Sequence, residues 1–452
     1  MITIKNNSIN HTFFKDKGYK YNLFINFNPR KISPMCQVIN HYVDLIDFTM
    51  FKDFDKTNQI AGGRPRYKFE NLLKIYLYSQ YMGTSFRQLE VAFAYGTEFS
   101  YLNDGLEGHP KKSTMSNFAS ILDNQIENVF FQLMQIFKNE LNLDFDHIYC
   151  DGSVYEAWND RHKIITKENL KKSNTRHKNI LSSDVSPEHK KKSEDKLKLN
   201  DKYFEKMMNL GTKSFGLTDD EAVIMRDKNN SFVAGYNVQL FEEDQFGLII
   251  FANVSNLTPD ASAFIQAFEK FKTRYQPLTI TADKGYSTTE IAKLLRDHGV
   301  ALITKQRNKN FKDLHSDWKI ADDYQTIICP CDRVLYKLKG KAKTFSQFTT
   351  KTCAGCHMTD QCLNESRKKK LIYIDIEKLM IDDYIKSIGD IPTNIQRYNQ
   401  RGNKSESPFG FTKYNINGRK FKRKGKKKNT TTIYLLSILY NLSRIINIKT
   451  KE

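Results

Sequence analysis

Two short stretches of the chain set an aspartate behind an apolar, β-branched run. Leu278-Thr279-Ile280-Thr281-Ala282 leads into Asp283, with Gly285 close behind, and Ile148-Tyr149-Cys150 leads into Asp151, with Gly152 next. Each run reads as a strand, so each carboxylate is expected at a strand's carboxyl end, the edge of an open α/β sheet where ligands bind. Asp-Gly after a strand is also ordinary turn chemistry, and either aspartate alone reads that way. A third acid, Glu406, lies in 397-RYNQRGNKSESPFGFTKYN-415. A helix tolerates Pro408 in its first turn, which puts the helix start near Ser405 and Glu406 by the positive end of the helix dipole. Capping is the common role of an acid there. Lys413 follows seven positions later, two turns on, and would share a face with Glu406.

Three acids drawn to one place repel one another unless a cation lies between them. All-oxygen ligands with open positions suit Mg²⁺ or Mn²⁺ far better than Zn²⁺. Two such ions roughly 4 Å apart can activate a water or a 3′-hydroxyl and steady the leaving oxygen of a phosphodiester. That chemistry needs a rigid sheet to carry the carboxylates and basic residues to hold the phosphates.

The rest of the chain fits such a task. Its 452 residues are 39% hydrophobic, with 31 Phe and 23 Tyr, which is enough for a large core. The net charge of +20, from 71 Lys and Arg against 51 Asp and Glu, favours a polyanionic partner. Nucleic acid is favoured over an anionic membrane, because the basic segments are not amphipathic anchors. No apolar run approaches the ~20 residues that span a bilayer, and the N-terminus lacks a signal-peptide core, so a cytoplasmic location is expected.

Residues 1–140 are expected to form a helical domain. Helices are read over 68–83, over 84–96 behind a Thr84 or Ser85 cap, and over 113–137 behind Ser113 and the basic pair Lys111-Lys112. Arg64-Pro65-Arg66 precedes them. Short helices joined by tight turns resemble a helix-turn-helix bundle, although a purely structural helical domain reads similarly. From 141 to 305 the pattern becomes strand, hairpin (231–255), helix (260–275), strand, helix (288–299) and strand (300–305), a mixed α/β sheet with helices on its faces. Within it, 163–202 is a Lys-rich polar insertion, extended or a solvated helix. Residues 306–390 interrupt the core, and 391–452 carry the Glu406 motif, a basic run and a last apolar helix. In that helix Ile433, Leu436, Leu439, Tyr440, Leu442 and Ile446 can share a face.

Five of the seven cysteines fall between 329 and 362. Cys329, Cys353, Cys356 and Cys362 would give a four-thiolate, closed and therefore structural Zn²⁺ site, with Cys331 or His357 able to replace a member; free or redox-sensitive thiols are the other reading.

Taken together these residues resemble the DDE transposases of bacterial insertion sequences, which have a ribonuclease H-like catalytic core. The resemblance rests on 63-GRPRYKFENLLKIYLYSQYMGTSFRQLEVAF-93 and 113-STMSNF-118 in the helical domain. It continues through 151-DGSVYEA-157, 232-FVAGYNVQ-239, 282-ADKGYS-287, 398-YNQRGNKSESPFGFTK-413 and 440-YNLSRI-445. It implies an α/β fold: a ribonuclease H-like mixed-sheet domain behind an N-terminal helix-turn-helix-like domain, with a cysteine-bearing insertion of a kind found in relatives. It implies that Asp151, Asp283 and Glu406 are the metal-binding catalytic triad, and that Tyr398, Arg401, Glu406 and Lys413 form a Y-R-E-K signature. Four residues separate Arg401 from Glu406 where the usual pattern has three, and Gly402-Asn403 is expected to loop and absorb the extra one. Lys413 would grip a DNA phosphate. Of 419-RKFKRKGKKK-428, eight residues in ten are basic; as a flexible segment, Arg419, Lys420, Lys422 and Arg423 would neutralise phosphates without reading bases. Arg64, Arg66, Lys111 and Lys112 would add DNA contacts from the helical domain. The implied partners are double-stranded DNA (the element's terminal inverted repeats and the target) and a second copy of the chain on that DNA. A nuclease without strand transfer, or a DNA-binding regulator with a decayed core, are the alternatives.

Overall fold

The computed structural model describes residues 32–49, 67–103, 108–160, 163–227, 230–305, 318–322, 324–338, 346–363, 368–416 and 418–450. It divides into two compact units, Met1–Pro277 with Arg401–Glu452, and Leu278–Gln400. The fold is mixed α/β. Among the described residues no helix is long and apolar enough to cross a membrane.

The first unit opens with helices α1 (Pro34–Asp44), α2 (Phe69–Tyr81), α3 (Leu89–Tyr95), α4 (Thr97–Leu102) and α5 (Lys112–Leu141). Ser33 caps α1, with proline in its first turn. The helix expected over 84–96 begins only at Leu89: Ser85 is engaged with the Gln88 side chain rather than with a helix terminus. Ser113 likewise lies inside α5, whose N-cap is Lys111. The apolar stripe of α5 (Met115, Phe118, Leu122, Ile126, Val129, Leu133, Phe137) is buried, and Asn142 ends the helix in the left-handed conformation. Helix α2 is buried nearly all round, including Lys74, whose ammonium lies 2.6 Å from Asp44.

The sheet of this unit runs in the order β2 (Ile164–Thr166), β3 (Ser214–Gly216), β4 (Val223–Arg226), β5 (Phe232–Glu243), β1 (His147–Glu156), all antiparallel, with β6 (Ile249–Ser255) also on β5. The β5–β6 hairpin forms as read from the sequence. Glu243 ties its turn by accepting the N–H groups of Gln245, Phe246 and Leu248, and Gly247 takes the positive φ the turn requires. Between β2 and β3 the Lys-rich insertion forms helices α6 (Lys167–Ser182) and α7 (Pro187–Asn209); α8 (Asp260–Phe271) then packs on β5 and β6.

In the second unit β7 (Thr279–Ala282), α9 (Thr289–Asp297, capped by Thr288) and β8 (Ala301–Ile303) form a parallel β-α-β unit. A separate antiparallel sheet follows, in the order β13 (Leu371–Ile374), β12 (Ser346–Thr349), β11 (Val334–Lys337), β10 (Thr326–Ile328), β9 (Lys319–Ile320). Among the described residues its core comprises Trp318, Ile327, Leu335, Phe348, Ile372, Ile374 and Leu379. The short helix α10 (Thr359–Cys362) precedes β13, and α11 (Ile376–Gly389) packs against α9, where Lys293 lies 2.6 Å from Glu377.

Helix α12 (Pro392–Gly410) carries the chain from the second unit into the first, and α13 (Lys426–Lys449) closes the first. The expected single apolar face of α13 is an underestimate. From Ile433 to Leu442 every side chain is buried, because the helix lies against α5, β6, α1 and α2 at once. Asn441 meets the one polar demand of that position, accepting from the Ile249 N–H and donating to the Ile249 carbonyl, both at 2.8 Å.

Candidate active site

Asp151 stands on the face of β1 shared with Tyr149, Ser153 and Tyr155, as the two-residue alternation of a strand requires. It is not at the strand's end. Gly152 and Ser153 stay extended because β5 is long enough to pair with them, Gly152 with Gln239 and Ser153 with Val238, so β1 runs on to Glu156. The turn expected after Asp151 is absent; the carboxylate lies mid-strand, half-buried, and accepts its neighbour's Gly152 N–H at 2.8 Å.

On β5, Leu240 pairs with Asp151 and Glu242 with Tyr149, so Glu242 sits diagonally across the ladder from Asp151. Its side chain is 1% exposed, and neither oxygen has a hydrogen-bond partner among the described residues. Burial, then the charges of Asp151 and Glu243, raise its pKa well above the ordinary carboxylate range; Arg444 and Lys404 pull the other way. The sequence reading missed this residue, because 242-EED-244 looked like one acidic turn. A hint lay in the alternation of β5, which sets Glu242 inside the strand and leaves Asp244 to the turn.

Glu406 lies on α12, but not in its first turn. The helix begins at Pro392, and Pro408 is inside it. The missing Pro408 N–H and the bulk of its ring break the regular ladder, and the next residues, Phe411–Asn415, widen into a π turn. Thr412 bridges the irregular stretch, its hydroxyl donating to the Pro408 carbonyl at 2.7 Å and meeting the Tyr155 hydroxyl at 2.6 Å. Gly402 and Asn403 are helical, so no loop absorbs the extra residue. Arg401 therefore precedes Glu406 by five positions on a continuous helix, about 140° around its axis. Glu406 itself is exposed.

Two lysines fix this helix end to β1. The Lys404 ammonium lies 5.5 Å from the centre of the Tyr149 ring and 2.7 Å from the Asp244 carboxylate. Lys413 is only 8% exposed; it donates to Ser153 Oγ at 2.6 Å and to the Val154 carbonyl at 2.7 Å, with its ammonium 4.6 Å from the centre of the Tyr155 ring. Lys413 thus braces β1 from inside, and the outward phosphate grip expected of it is not what this geometry shows. In sequence Glu406 falls between these two lysines, Lys404 and Lys413.

In the second unit Asp283 follows β7 directly, as expected. It caps the 3₁₀ turn Lys284–Tyr286, and its carbonyl accepts from the Thr304 hydroxyl at 3.0 Å. Tyr398 of the same unit has the Lys305 ammonium 5.2 Å from its ring centre.

The basic run is ordered rather than flexible. Phe421 is buried, Lys420 bridges to Glu156, and acids fall beside the cations: Arg419 3.3 Å from Asp227, Lys420 3.6 Å from Glu156 and Arg423 2.6 Å from Asp123. Lys422 is exposed. Lys111 lies 3.4 Å from Glu90, and Lys112, exposed, opens α5. Arg64 and Arg66 lie outside the described residues.

The cysteines gather as the spacing suggested. Cys329, Cys331, Cys353, Cys356 and Cys362 all line one small enclosed cavity. Cys329 opens a tight turn whose Arg333 N–H donates to its sulfur at 3.3 Å; Gly355 takes positive φ between Cys353 and Cys356. A backbone N–H, that of Met358, also stabilises the Cys356 thiolate, lowering its pKa. Cys331 Sγ is 3.8 Å from His357 Nε2. Among the described residues, however, no three His, Cys, Asp or Glu side chains already stand in position to hold a metal ion.

Residues 328–446 match the family described as the transposase DDE domain, and residues 27–120 match a second, the transposase domain DUF772. The first segment contains Glu406, Lys413 and the cysteines; the second contains the N-terminal helices up to the start of α5; Asp151 and Asp283 lie outside both. No curated protein matches the chain significantly. Among solved structures, the cryo-EM structure of a piggyBac transposase synaptic complex with hairpin DNA aligns over 95% of this chain and 74% of that one, at 12% identity and a TM-score of 0.31. A likeness that weak does not establish a common fold.

Proposed function

We propose that this chain, which its two matched segments make a DDE transposase of the insertion-sequence kind, cuts DNA at the ends of its element and joins the freed ends to target DNA, using Asp151, Asp283 and Glu406 as divalent-metal ligands. The observation that carries the reading is the β1 face. There Asp151 lies beside a buried carboxylate, Glu242, that has no hydrogen-bond partner among the described residues, and the helix bearing Glu406 is braced along the same strand. Carboxylate oxygen donors fit Mg²⁺ or Mn²⁺. When bound, such ions supply an activated water or 3′-hydroxyl and neutralise charge on the leaving oxygen.

The chain's own residues do the positioning. Lys413 holds Ser153 and Val154, and so fixes the strand on which Asp151 rides. Lys404 and Arg444 place positive charge near Glu242. The DNA partner would be double-stranded, held on terminal repeats by the N-terminal helices as a helix-turn-helix-like module, with Lys111, Lys112, Arg401 and Lys422 as backbone contacts. Lys111, Arg419, Lys420 and Arg423 would exchange their present acidic partners for phosphates. A ribonuclease H-like core and a dimer that brings two ends together complete the reading. Zn²⁺ held by Cys329, Cys353, Cys356 and Cys362 would be structural, since four thiolates leave no open position.

The test uses end-labelled oligonucleotides carrying the element's terminal repeats, with Mg²⁺ or Mn²⁺. Cleavage and strand-transfer products are expected, and each of Asp151→Asn, Asp283→Asn and Glu406→Gln should lower both by at least about 10²-fold, the scale of losing a transition-state charge stabiliser. Cleavage without joined products would make the chain a nuclease. Unchanged activity in any one variant would remove that residue from the triad.

A further inference from the structure

We propose that the α6–α7 hairpin is an arm that grips the phosphate backbone of duplex DNA without reading its sequence. This rests on the reading that the chain acts on DNA, and deepens it by naming a binding element. The hairpin is inserted at a single point: β2 and β3 pair at its base, Thr166 opposite Ser214, and the Lys167 N–H donates to the Lys213 carbonyl at 2.8 Å. From that base, helices of 16 and 23 residues reach roughly 24 and 35 Å at 1.5 Å per residue.

The arm combines a small apolar cluster with polar contacts. The cluster lies at its root, where Leu170, Met207 and Phe215 pack with Ile165, Tyr203, Phe204 and Leu210. Farther out the helices are joined by Asn200, which donates to Ser173 Oγ at 2.9 Å and to Asn174 Oδ1 at 2.7 Å, and by His177, whose Nδ1 lies 3.2 Å from Ser193 Oγ. Asn200 and Ser193 are buried between the helices. The exposed faces of this helix pair are mostly polar and charged, which favours a polar or charged partner.

Its charge says which. Residues 167–209 carry 12 Lys and Arg against 7 Asp and Glu. On α6, Lys171, Lys172 and Arg176 line one open groove together with the donor side chains of Thr175, Asn179 and Ser183. Cations mixed with hydroxyl and amide donors are the residue types that contact DNA phosphates. A second copy of the chain is a poor occupant, because each copy carries a net charge of +20.

The experiment measures binding of a random-sequence duplex of about 40 base pairs, in EDTA, across about 50–300 mM KCl. Two arm variants are compared with the wild type: Lys171→Gln/Lys172→Gln/Arg176→Gln, and a chain in which Asn-Gly replaces residues 167–213 between the paired ends of β2 and β3. Lys319→Gln/Lys337→Gln/Lys378→Gln, on exposed positions of the second unit, removes the same charge elsewhere. Both arm variants should bind more weakly, and the slope of log K against log salt should become shallower by about 2–3 for three lost phosphate contacts, with the control close to the wild type. An arm variant indistinguishable from the control overturns the proposal, as does a changed oligomeric state with an unchanged slope. If the excised chain does not fold, the triple variant decides alone. Because metal is absent, a shallower slope in a protein that never cleaves DNA would leave the arm standing and remove the transposition reading instead.

Discussion

Glu242 is buried beside a second acid, Asp151, and that has a consequence for pH. Its folded pKa is raised, first by burial and then by Asp151 and Glu243, so the native chain holds this proton more tightly than the unfolded chain does. Stability must then fall as pH rises above the unfolded glutamate value of about 4.3, until the folded pKa is passed. Glu242→Gln removes the ionisation while keeping shape. In metal-free protein the variant should melt near the wild type at about pH 4 and progressively above it toward pH 8, a gain of about 1–3 kcal/mol, the usual cost of an unsatisfied buried polar group. A melting difference that does not change with pH would show that Glu242 is not the strained group. At this scale the sequence was partly legible. Asp283 stands where its apolar run implied, directly after β7. Asp151 does not, since the length of a strand is set by its partner and β5 lies about 80 residues away. Glu242 was invisible for the same reason: which acids share a face across two strands depends on register.

At the scale of elements, local pattern identified most helices and failed where tertiary contacts overrule it. Pro408 predicts a helix start near Ser405, but the Tyr155 and Thr412 hydroxyls and the two bracing lysines accompany a helix that runs through the proline. The basic run was read as solvated, and Glu156, Asp227 and Asp123, all distant in sequence, order it. The small sheet β9–β13 carries the clearest element-scale expectation. Among the described residues its core holds seven buried side chains, and five thiols line the cavity beside Trp318; small cores commonly need a metal or disulfide staple. Protein purified without chelator should contain about one zinc per chain, and Cys353→Ser should lose it. In a Trp158→Phe background, which leaves Trp318 as the single tryptophan, removing the metal should lower the midpoint of the fluorescence transition. Metal-free protein with an unchanged Trp318 transition would return these cysteines to the status of free thiols.

At the scale of the whole molecule, the proposed chemistry draws on distant segments. Asp151 and Glu406 belong to one compact unit and Asp283 to the other. The two matched transposase segments cover the N-terminal helices and the stretch from the cysteines through α13, leaving the strands that carry both aspartates outside. The family resemblance was therefore legible in short motifs along the chain, whereas the proposed metal pocket depends on the folded whole.

The most direct measurement of that pocket is backbone cleavage by hydroxyl radicals generated at bound iron. Fe²⁺ takes the place of Mg²⁺, ascorbate and peroxide are added, and the peptide fragments are sized by mass spectrometry. Cuts should cluster around residues 151, 283 and 406 together, and excess Mg²⁺ should suppress all three. Cuts at one or two of these segments that leave the third untouched would contradict the account.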